Sequence, residues 1–60
     1  MSRRAVDALF QALYILTDIR FILRETAPVH ELDDEHKVRV GTAIEKLKKQ
    51  VKILEEELVG

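Results

Sequence analysis

Residues 5–23, AVDALFQALYILTDIRFIL, constrain this chain more than any other stretch. Wound as a helix at about 100° per residue, they carry two neighbouring apolar seams. Ala5, Ala8, Ala12, Ile15, Ile19 and Ile22 form one. Val6, Leu9, Leu13, Leu16 and Leu23 form the second, interrupted by Arg20 and flanked by Phe10. The polar residues Asp7, Gln11, Asp18 and Glu25 fall in a narrow sector. The apolar arc spans roughly 240°, whereas a surface helix facing a single core needs roughly 100°. Two seams imply two packing partners. The rest of the chain can supply one, and a second copy most simply supplies the other.

Other readings of this stretch fail on its pattern. The apolar residues do not alternate with a period of two, and the segment is too long for one strand. The longest uninterrupted apolar run covers residues 12–16, far short of the roughly 20 residues that a membrane span requires. A span would also carry Asp7, Asp18 and Arg20 into hydrocarbon.

Length reinforces the need for a partner. Sixty residues make one small domain, which buries only about 60% of its unfolded surface. There is no cysteine, so neither a disulfide nor a thiolate metal site can add stability. Oligomerisation is the remaining source. The formal charge is −1, from 10 basic and 11 acidic residues, which gives no overall pull toward nucleic acid or anionic membrane. Met-Ser-Arg-Arg leads into no secretory-signal core, and a cytoplasmic location is expected.

The punctuation predicts two helices. Ser2 is placed to cap a first helix over about 3–26. Pro28 disfavours helical geometry at Ala27, giving a connection over about 27–33. Asp33 is the strongest cap, with Asp34 and Glu35 behind it where the helix dipole favours acids. The second helix should run over about 34–59. Val40, Ile44, Leu47, Val51, Leu54 and Leu58 step by four and three along it, as a heptad seam does. An antiparallel hairpin should cover this narrow stripe but only part of the first helix. The expected fold is therefore all-α, a two-helix hairpin that assembles into a four-helix bundle as a homodimer or higher oligomer. The expected interface comprises Ala5, Ala8, Leu9, Ala12, Leu13, Ile15, Leu16, Ile19, Ile22 and Leu23 with Val40, Ile44, Leu47, Val51, Leu54 and Leu58.

Sites of chemistry are sparse. His30 and His36 lie near Glu31, Asp33, Asp34 and Glu35 but lack a compact ligand spacing such as H-E-x-x-H; no metal or cofactor is expected. No nucleophile–base pair is evident, so the expected role is a non-enzymatic oligomerisation or protein-interaction module. The alternative is a small nucleic-acid-binding regulator using Arg3, Arg4, Lys46, Lys48, Lys49 and Lys52. Those lysines alternate with Glu45, Glu55 and Glu56, as on a solvated coiled-coil exterior. Glu45 and Lys49 are spaced for an i,i+4 pair.

In size, in helix–loop–helix layout and in Glu31-Leu32-Asp33 leading into the second helix, the chain resembles the Rop-type RNA-binding hairpins. That resemblance implies a dimeric four-helix bundle. Those proteins read RNA with the outer polar face of the first helix, whereas here that face carries Asp7, Gln11 and Asp18. His30-Glu31-Leu32 also resembles the H-E-L string at the phosphorylated histidine of sensor kinases, which in that family lies on a helix.

Overall fold

A computed structural model describes residues 2–29 and 31–60; the metal and phosphotransfer readings that involve His30 lie outside them. Two helices make the fold, α1 (Arg3–Glu25) and α2 (Asp34–Leu58), with no strand among the described residues. They pack side by side in opposite directions. Ser2 at the start of α1 bonds Glu57 at the end of α2, and Glu25 at the end of α1 meets His36 at the start of α2. The hairpin is about 40 Å long, as two helices of this length rising about 1.5 Å per residue should be.

Local chemistry sets the helix ends. Ser2 has extended backbone, and its hydroxyl accepts the Ala5 amide at 3.1 Å, satisfying one of the amides that a helix start leaves without a partner. Asp33 does the same for α2, accepting the His36 amide at 2.8 Å. Asp34 and Glu35 occupy its first turn, where their charge suits the helix dipole. At the end of α1, the Thr26 amide donates to Ile22 and its hydroxyl to the Leu23 carbonyl. Chain direction then changes through Ala27, whose amide still donates to the Arg24 carbonyl at 3.3 Å, and Pro28, which has no amide to donate.

The first seam of α1 faces α2. Ala5, Ala8, Ala12, Ile15 and Ile22 are buried, and Ile19 is half-buried. From α2 the half-buried positions are His36, Val40, Ala43, Leu47, Gln50, Ile53 and Leu54. No residue of α2 is fully buried.

This corrects one expectation. The hairpin does not cover the heptad stripe of α2. Val40, Leu47 and Leu54 turn toward α1, but Ile44, Val51 and Leu58 remain exposed, Val51 at 52%. The contact line of α2 is rotated toward Ala43 and Gln50. Geometry gives the reason. A heptad seam points to the middle of a multi-helix bundle, whereas a hairpin contact points at one neighbour. A single partner helix can therefore cover only one edge of the seam.

Candidate protein-interaction face

The two flanks of the hairpin differ. On one flank an open groove runs between the helices, lined by Asp18, Phe21 and Glu25 of α1 and by Arg39, Thr42 and Lys46 of α2, over Ile15, Ile22 and Ala43. On the opposite flank α1 presents its second seam. Leu9, Leu13, Leu16 and Leu23 are all exposed there, Leu13 at 51% and Leu16 at 48%. At 100° per residue, Ile44, Val51 and Leu58 of α2 turn to this same flank. The second seam of one helix and the uncovered edge of the other thus form one apolar face along the hairpin. A shallow depression in it is lined by Ile44, Leu47 and Val51, with Lys48, Lys52 and Glu55 at its border.

The total surface reflects the elongated two-helix shape, 40 × 16 × 13 Å. The chain exposes 4874 Å², and a compact monomer of its 6.9 kDa mass would expose about 4000 Å². The excess is roughly 900 Å².

Charged residues frame the face and close the ends of the hairpin. Arg4 Nη1 lies 3.2 Å from Glu57 Oε2 and 3.6 Å from Glu56 Oε2, and the Ser2 hydroxyl donates to Glu57 Oε1 at 2.7 Å. The Ser2 hydroxyl first, and Arg4 beside it, hold the Glu57 carboxyl below its ordinary range. At the loop end, Glu25 Oε2 receives His36 Nε2 at 3.3 Å and Arg39 Nη1 at 3.5 Å. The donated His36 amide is the main reason that the Asp33 carboxyl also lies below its ordinary range. His36 Nδ1 is buried and sits 2.8 Å from Asp33 Oδ1, yet without the alignment of a hydrogen bond; the backbone bond is the firmer of the two contacts.

The residues considered for nucleic-acid contact are dispersed. Arg3 pairs loosely with Asp7 at 3.9 Å, and Arg4 is engaged by Glu56 and Glu57. Lys48 takes Glu45 at 3.5 Å, so the partner of Glu45 is one residue earlier than the expected Lys49. Lys46 lines the groove on one flank, while Lys48 and Lys52 border the leucine face on the other. Lys49 lies between the two flanks on the outside of α2, so the six cations gather into no common surface. Arg20 interrupts the leucine seam, is exposed, and has no ion-pair partner among the described residues. Among the described residues no group of three His, Asp or Glu side chains is placed to hold a metal ion. No described helix is long and apolar enough to cross a membrane.

One feature was visible in the spacing but carried no weight in it. Phe10, Tyr14 and Phe21, the only phenylalanine and tyrosine residues of the chain, are all exposed and share one stripe of α1, which reaches the edge of the groove at Phe21. Their i, i+4, i+11 steps mark one helical stripe, hidden in the sequence because it merges with the flank of the leucine seam.

Compared with protein-family models, curated proteins and solved structures, the chain matches none.

Proposed function

We propose that the protein is a non-enzymatic self-assembly module, in which two hairpins join through their leucine faces into a homodimeric four-helix bundle. One observation carries this reading. Both helices carry apolar seams turned to the same flank of the hairpin, where the described residues leave them partly exposed. Exposed apolar patches of more than a few hundred Å² are uncommon on soluble monomers and mark association sites.

Association would supply what the hairpin lacks. Five buried side chains among the described residues, three of them alanines, give little hydrophobic stabilisation at about 25 cal/mol per Å². Leu9, Leu13 and Leu16, buried together with Ile44 and Val51 in a dimer, would complete a core with coiled-coil packing.

The test is a polar substitution at the middle of the face. Leu13→Asp places a carboxylate where the bundle core would be, at a site that the isolated hairpin leaves half in water. The expected result is loss of the dimer, and with it loss of helical circular dichroism at micromolar concentration. A Leu13→Asp protein with native helicity and unchanged association would contradict the reading.

A further inference from the structure

We infer that the second copy docks like helix on like helix, α1 antiparallel to its own counterpart and α2 antiparallel to its own. This orientation rests on the self-assembly reading above. Two arrangements cover the leucine face while keeping every neighbouring pair of helices antiparallel. In one, the two-fold axis crosses the bundle and sets α1 beside α1 and α2 beside α2. In the other, the axis runs along the bundle and sets α1 beside α2 of the second copy. The charges bordering the face distinguish them.

The outer border of the face on α1 carries Arg20 and Arg24 and no acid. The outer border on α2 carries Lys37 near the loop end, Lys48 in the middle, and Lys52 and Glu55 toward the far end, Lys52 the farther of these from the facing helix. If α1 lay beside α2 of the second copy, it would keep the level it has within the hairpin, where Glu25 meets His36 and Arg39. Arg20 and Arg24 would then face Lys37, cation against cation, and Leu13 would press on Lys48.

Like-on-like docking removes the cation-against-cation conflict, and Lys48 then lies level with Ile44 of the second copy. The midpoint of α2 is Lys46, so an antiparallel copy centred there sets Lys37 opposite Glu55, and Glu55 opposite Lys37, twice per dimer. Neither residue has an ion-pair partner among the described residues of its own chain. The same register sets Gly41 opposite Val51 of the second copy. Gly41 has nothing within 4 Å of the position a Cβ would take, which leaves the room that the exposed Val51 side chain needs. On the other side of the bundle, α1 has its midpoint at Tyr14, so Leu13 lies beside the two-fold axis, where leucines meet leucines. Arg24 comes level with Arg4 of the second copy, whose guanidinium is turned away to Glu56 and Glu57.

Charge reversal reads the orientation by its sign. The dimer dissociation constant is measured by sedimentation equilibrium for the natural protein, for Lys37→Glu, for Glu55→Lys and for the double variant, with circular dichroism confirming that each is helical. Like-on-like docking predicts that each single reversal weakens the dimer by about tenfold, because two border pairs turn repulsive. The double variant should return to within about twofold of the natural protein. A Lys37→Glu dimer that is tighter than the natural one, or unchanged, would overturn this orientation while leaving self-assembly intact. A natural protein that stays monomeric would remove the self-assembly reading, and the orientation with it.

Discussion

Truncating Leu16 separates a chain that assembles from one that does not. Within the hairpin Leu16 keeps 48% of its surface exposed. Fully burying a leucine side chain is worth roughly 1.5–3 kcal/mol, so a dimer that covers the remaining half gains about 1 kcal/mol per chain from transfer alone. Leaving a hole where that side chain was packed adds a cavity cost, and a core Leu→Ala change totals roughly 2–5 kcal/mol. A dimer loses this twice. Leu16→Ala is therefore expected to cost the assembly about 4 kcal/mol or more, which corresponds to a dissociation constant raised about a thousandfold. Helix propensity does not confuse the result, because alanine is at least as good a helix former as leucine. The assay is urea unfolding followed by circular dichroism at several protein concentrations. The natural protein should show a midpoint that rises with concentration, and Leu16→Ala should shift it strongly downward. A shift below about 0.5 kcal/mol, the range of ordinary surface substitutions, would refute the reasoning.

Other predictions follow from the ends of the hairpin and its inner seam. Asp33→Ala removes the acceptor for the His36 amide and should destabilise the fold by about 1 kcal/mol, read as a lower urea midpoint. Ile22→Ala opens a cavity between the helices, where Ile22 is only 3% exposed, and should cost roughly 2–5 kcal/mol per chain, abolishing helicity at low protein concentration. The carboxyls of Asp33 and Glu57 are both held below their ordinary range. Their contribution is therefore present above the unfolded-state values, about pH 4, and is lost as pH falls through the lower native ones. The melting temperature should drop on acidification through that window, and Glu57→Gln should drop less.

The parts of this fold that are local were legible in the sequence. Ser2 and Asp33 read as caps because a capping side chain needs only the next three residues to act. Pro28 marked the connection for the same reason. The two seams of α1 were legible because helical periodicity is a property of one segment. The face of α2 was not. Its residues Val40, Ile44, Leu47, Val51, Leu54 and Leu58 make one stripe in the sequence, but the hairpin divides them, since pairwise packing depends on where the small side chains of Ala5, Ala8 and Ala12 let the neighbour settle. Gln50 entered the contact and Val51 left it, a rotation that no property of α2 alone specifies. The sequence also named the leucines as interface residues without indicating that Ile44 and Val51 would turn to the same flank.

The most direct test of the central claim is solution mass by light scattering, measured from nanomolar to millimolar chain concentration. The account predicts a species of twice the 6.9 kDa chain mass that persists into the micromolar range and loses its helicity as it dissociates. A chain that remains helical at the monomer mass across the whole range would contradict it.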